Sequence, residues 1–246
     1  MFNIFRSVNY TVRRDITVLI SLFTIIFFPV FTYIFNSDGG NLKFKDITGN
    51  MYYMLTMEGY IFLMLIMLLI TCRIMGSDMS DKTINFEILY GQKKMNIYGA
   101  RVICVLIWSV LLVTILYAYP VIMFSIINGF GEGIKEKDMV IRYMLSILPS
   151  IRIVSFLILF TCVLGSAGKA IALGYVLVEG AVILGSILQE FDVKSTYIFG
   201  IMNELAVFNA AESLKKTAPF TIIVSIVMTL IYLIIGYYIF SKKEGE

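Results

Sequence analysis

Six stretches of about 20 apolar residues, at 16–35, 52–72, 102–127, 143–165, 171–188 and 220–240, fix what this chain can become. Backbone N–H and C=O groups in hydrocarbon must be satisfied within the segment itself, so each stretch is expected to be a membrane-spanning helix. The first is no cleaved signal, because its core is too long and no small-x-small site follows. Hydrophobic residues make up 59% of the 246 and mean hydropathy is +0.87, so six spans and their connections use the whole chain. The expected fold class is therefore all-α. Residues 1–246 are expected to form a single polytopic transmembrane domain with six helices and no soluble domain, placed in the cell membrane as a multi-pass protein.

The net charge of +3 is no sign of a nucleic-acid partner, since in a membrane protein its meaning lies in where the charges fall. With the N-terminus inside, eleven basic residues fall on the inner side: Arg6, Arg13, Arg14, Arg73, Lys82, Lys93, Lys94, Arg101, Lys169, Lys242 and Lys243. Eight fall outside (Lys43, Lys45, Lys135, Lys137, Arg142, Lys194, Lys215 and Lys216), and Arg152 lies within a span. The excess favours both termini in the cytoplasm.

Chemistry of the chain's own finds no support. Histidine is absent, which removes the commonest general base and metal ligand. The cysteines Cys72, Cys104 and Cys162 are far apart, in or beside apolar runs, and read as small hydrophobes. The nearest approach to a phosphate-binding loop, "GSAGKA" at Gly165–Ala170, has the wrong spacing and lacks the hydroxyl residue after the lysine; it reads as a tight turn. No HExxH is present, and every aspartate lies in a connection or at a span edge. No catalytic residue, metal site or bound cofactor is expected, and the chain is not read as an enzyme.

Four polar features remain. Residues 1–15 place Ile4, Phe5, Val8 and Val12 on one helical stripe and Asn3, Arg6, Arg13 and Arg14 opposite, the pattern of a short helix lying in the inner interface of the membrane lipid, its basic residues toward anionic headgroups. Residues 189–219 are too polar to span and too apolar for water, and read as one or two short helices resting on or dipping into the outer leaflet. Glu58, Arg152 and Glu179 are charges inside predicted spans, each costing about 2.5–3.5 kcal/mol at a helix centre, so each needs a partner, a cavity or the bundle interior. They can line a path or form an ion pair; the short turn between the fourth and fifth spans favours pairing Arg152 with Glu179.

The connection at 73–101 carries eight charged residues and is long enough to hold a helix of its own. The spacing predicts one over 82–90, with Ser80 or Asp81 as cap and Gly91 as stop. At 100° per residue Ile84 and Ile88 share one side, while Phe86, Leu89 and Tyr90 share another. A short helix with two apolar faces has two neighbours: its own spans and a second protein.

In layout and in the run "SDKT" followed by "YGQKK" and a span, the chain resembles the membrane subunit of an ABC exporter of the ABC-2 permease type. The small size is similar to permeases of lantibiotic or bacteriocin immunity and antimicrobial-peptide export. The resemblance implies that Asp81, Lys82, Thr83, Ile84, Phe86, Ile88, Leu89 and Tyr90 form a cytoplasmic coupling helix between helices 2 and 3. This helix docks on a separate nucleotide-binding subunit, which holds ATP and Mg. It implies short re-entrant outer helices before helix 6, a second permease copy or a paralogous permease as partner, and a bacterial plasma membrane. Export of lipid or polysaccharide shares this architecture, and a channel or scaffold without an ATPase is the alternative from another class.

Overall fold

The structure, a computed structural model, describes residues 1–37, 48–50, 52, 60–133, 135–191 and 214–243. Among them there is helix and irregular chain but no strand. The helices are α1 (Phe2–Arg14), α2 (Ile16–Ser37), α3 (Tyr60–Thr71), a π-helical turn (Cys72–Gly76), α4 (Ser77–Ser80), α5 (Thr83–Leu89), α6 (Lys94–Asn128), α7 (Glu136–Leu164), α8 (Ala167–Phe191) and α9 (Leu214–Lys243). Three helical stretches, Lys94–Asn128, Lys137–Leu164 and Thr221–Lys243, are long and apolar enough to cross a membrane. Ile16–Phe27 and Ala167–Val178 are shorter apolar helices. The chain thus has the build of a transmembrane protein. Glu58, the side chain of Glu179 and residues 192–213 of the outer segment lie outside the described residues.

An apolar surface on every side demands neighbours on every side. That is the case for α3, "YIFLMLIMLLIT", whose Met64, Met67, Leu68 and Ile70 are buried. Its neighbours include α6, α7 and α8, which bring Cys104, Val105, Leu112, Ile153, Leu157, Cys162 and Val178 into the same core. α9 packs along α7, with Phe156 and Tyr232 edge to face at 5.4 Å. In lipid such contacts gain little from water release and depend on close packing, which small residues permit.

Among the described glycines, Gly76 comes nearest to the backbone of a neighbouring segment. A Cβ there would lie 2.9 Å from Ala167 Cα and 3.1 Å from its nitrogen, where the π-helical turn meets the start of α8. Gly76→Ala is expected to cost about 1–3 kcal/mol by overpacking. Gly168→Ala, where a Cβ meets nothing within 4 Å, should be neutral or stabilising. Equal melting temperatures for the two variants in detergent would refute this account of the junction.

Polar contacts sort the connections to two ends of the bundle. At one end Lys94 Nζ donates to the Ser241 carbonyl at 2.7 Å, and Lys243 Nζ donates to the Val163 carbonyl. Ala167 N–H donates to Ser80 Oγ at 3.0 Å. Lysines there meet the carbonyl-rich C-terminal ends of α9 and α7, where the helix dipole favours them. At the other end Gly49 N–H donates to Gly129 O at 3.2 Å, and Asn50 N–H to Phe130 O at 2.8 Å. Gly131 has φ +84°, and a Cβ on it would overlap the Thr48 hydroxyl at 2.3 Å, so glycine fits that crossing on both counts.

Candidate functional site

The first end carries α4 and α5. The helix of the second apolar stretch does not stop at Cys72: it continues through the π-helical turn into α4. α5 then starts at Thr83, with Lys82 as the residue before it at φ +55°. This corrects the expected caps. Neither Ser80 nor Asp81 caps α5; Ser80 closes α4, donating from Oγ to Gly76 O at 2.8 Å and accepting from Ala167. Gly91, at φ +81°, follows the helix as expected, and its N–H donates to Ile88 O at 2.9 Å.

α5 has the two faces its spacing predicts. Ile84 is completely buried and Ile88 packs partly against the core. Phe86, Leu89 and Tyr90 are 60%, 81% and 84% exposed. Asp81, Lys82 and Thr83 are exposed as well.

What holds the helix in place is a set of charges not foreseen from sequence. Arg101, only 1% exposed, points its Nε to Asp78 Oδ2 at 2.8 Å on α4. Its Nη1 reaches Glu87 Oε2 at 2.8 Å and its Nη2 reaches Glu87 Oε1 at 3.1 Å on α5. One guanidinium thus ties three helices, using the planar fork that only arginine offers. Burial raises the Asp78 carboxyl above its ordinary range despite Arg101 beside it. Glu87 is gripped through both of its oxygens and Asp78 through one.

This group lines a cleft of about 190 Å³ together with Ser7, Thr11 and Asp15 of the N-terminal region and with Arg73 and Asp81. Asp15 joins α1 to α2, capping α2 by accepting from Thr17 N–H at 2.8 Å and taking the Nε of Arg73. Burial would push its carboxyl up, but the hydrogen bonds from Arg73 and Thr17 prevail and hold it below the ordinary range. A carboxylate with a depressed pKa stabilises the fold above its unfolded value near 4, and that contribution fades as pH falls through the folded value. Wild type should therefore lose melting temperature on acidification below pH 4 more steeply than Asp15→Asn. Parallel curves for the two would show that this pair contributes nothing.

The stripe on α1 is present, with Ile4, Val8 and Val12 buried and Arg6, Arg13 and Arg14 exposed. The stripe packs on α6, and Asn9 Oδ1 accepts from Trp108 Nε1 at 2.9 Å. The surface for it exists because α6 begins at Lys94, well before the apolar run at 102. The same early start turns Arg101 from a loop charge into a buried helix residue. Arg142, counted among the outer charges, is nearly buried on α7.

Arg152 is fully buried in α7, as a charge inside a span must be. Glu58 and the side chain of Glu179, its two expected neighbours, lie outside the described residues. Among the described residues no group of acidic, cysteine or histidine side chains is placed to hold a metal. Cys72, Cys104 and Cys162 are buried and form no disulfide among the described residues. No family model matches the chain, and comparison with curated proteins and with solved structures likewise finds no match.

Proposed function

We propose that this chain is the membrane-spanning permease subunit of an ATP-driven ABC exporter of the ABC-2 type. Its six spans place both termini and α5 in the cytoplasm, and α5 docks in a groove of a separate nucleotide-binding subunit. The observation that supports this reading is the build of α5: three large apolar side chains face outward from a helix whose other side is anchored by Ile84 and by the Glu87–Arg101 pair. Exposed side chains of the long apolar helices have lipid to cover them. Phe86, Leu89 and Tyr90 sit among Asp81, Lys82, Lys93 and Lys94, where water is the alternative, and a clustered apolar patch in water marks a protein contact.

The chemistry divides accordingly. ATP and Mg belong to the partner, and this chain takes up the movement at α5 and passes it through Arg101 into α6. One such subunit forms half of a path, completed by a second copy or a paralogous permease. The cargo class is a hydrophobic or amphipathic molecule, foremost an antimicrobial peptide.

Purification of the intact chain from its own cells in mild detergent tests the reading. An ATPase subunit with a phosphate-binding loop should copurify in stoichiometric amount and hydrolyse ATP. A chain recovered without any ATPase, or one that transports after ATP depletion, would overturn it.

A further inference from the structure

The outward face of α1 has no part in the docking of α5. At 100° per residue Phe2, Arg13, Arg6, Tyr10 and Arg14 fall within about 120° of one another, and all five are exposed. The opposite side is the stripe of Ile4, Val8 and Val12, already covered by α6. "FNIFRSVNYTVRR" contains no acidic residue, and the acid that follows, Asp15, is engaged by Arg73. Among the described residues no carboxylate bridges to Arg6, Arg13 or Arg14. Arg14 lies 4.4 Å over the Tyr10 ring, so even the nearest aromatic contact leaves its charge in place.

The position of this face selects its partner. α1 passes through Asp15 directly into α2, whose Ile16, Leu19, Ile20 and Phe23 are exposed and apolar. Basic and aromatic side chains mixed at the edge of an apolar belt sit at headgroup level. A second such pair lies at the same end of the bundle, with Lys242 4.6 Å over the exposed Tyr238 ring.

We propose that α1 is a platform that selects anionic glycerophospholipids, with Arg6, Arg13 and Arg14 taking phosphate oxygens and Phe2 and Tyr10 resting at the glycerol level. A free amphipathic helix dips its apolar stripe into lipid. Here that stripe is seated on protein, so the attraction is carried by charge. It depends on headgroup charge and weakens with salt. The inference rests on the apolar belt lying in a membrane and needs no ATPase.

Trp108, the only tryptophan in the chain, donates to Asn9 of α1 and serves as a resident fluorescence donor. The intact chain is placed in phosphatidylcholine vesicles with a trace of lipid dansylated on its acyl chain, carrying either a phosphatidylglycerol or a phosphatidylcholine headgroup. Transfer at low salt should report enrichment of the anionic lipid by about fivefold or more, falling as salt is added. The Arg6→Gln/Arg13→Gln/Arg14→Gln variant should lose that preference with unchanged Trp108 emission and melting temperature, because none of the three side chains is buried. Equal transfer to both lipids in the intact chain would overturn the proposal and leave the face to an acidic protein segment. A preference that survives in the triple variant would overturn it too.

Discussion

Replacing Arg101 with methionine is expected to lower stability by about 3 kcal/mol, the lower end of what breaking a buried ion pair costs. The side chain is 1% exposed, while its carboxylate partners retain about a quarter of their exposure, Asp78 28% and Glu87 24%. Both can recover some hydration, which keeps the effect from the top of the range. At about 2–4 °C per kcal/mol for a chain of this size, the melting temperature should fall by roughly 6–12 °C. Arg101→Lys keeps the charge but has no planar fork, so it should recover only part of the loss. Arg101→Met combined with Asp78→Asn and Glu87→Gln removes every member of the set and should be more stable than Arg101→Met alone. If Arg101→Met melts within about 2 °C of wild type, the fork does not hold α5.

Phe86→Asp and Leu89→Asp are expected to abolish capture of the nucleotide-binding subunit while leaving the chain itself intact. Both side chains are mostly exposed, so stability should stay within about 0.5 kcal/mol. In the docked state each aspartate would sit without a partner in an apolar contact, costing at least about 2 kcal/mol and roughly 30-fold in affinity. Ile84→Asp should do the reverse: Ile84 is fully buried, so this charge should unfold the helix end even without a partner. Unchanged ATPase capture by both Phe86→Asp and Leu89→Asp would remove the outward face of α5 from the contact.

The features legible in the sequence were those set by local periodicity. Ile4, Val8 and Val12 on α1 and the division of α5 between Ile84 and Phe86, Leu89, Tyr90 follow from 100° per residue, and the structure repeats them. What covers a stripe is not local, and on α1 it is α6. The fork was hidden for the same reason: Asp78, Glu87 and Arg101 meet only because α6 begins at Lys94 and α4 continues the preceding helix. The run from Lys94 to Arg101 contains no proline, which is a signal that the helix can start early. Ser80 looked like a cap, but its hydroxyl serves the backbone of Ala167, 87 positions away. No spacing rule carries that contact.

The account stands or falls on what touches Leu89 in the living cell, since that side chain is 81% exposed at the centre of the proposed docking face. A photo-crosslinking amino acid at position 89, activated in intact cells, should give one adduct whose partner mass spectrometry identifies as an ATPase with a phosphate-binding loop. The same probe at Gly131, at the opposite end of the bundle, should not capture that ATPase. Capture of the ATPase from position 131 instead of 89, or labelling of a Leu89→Cys variant by an impermeant thiol reagent from outside sealed cells, would contradict the account.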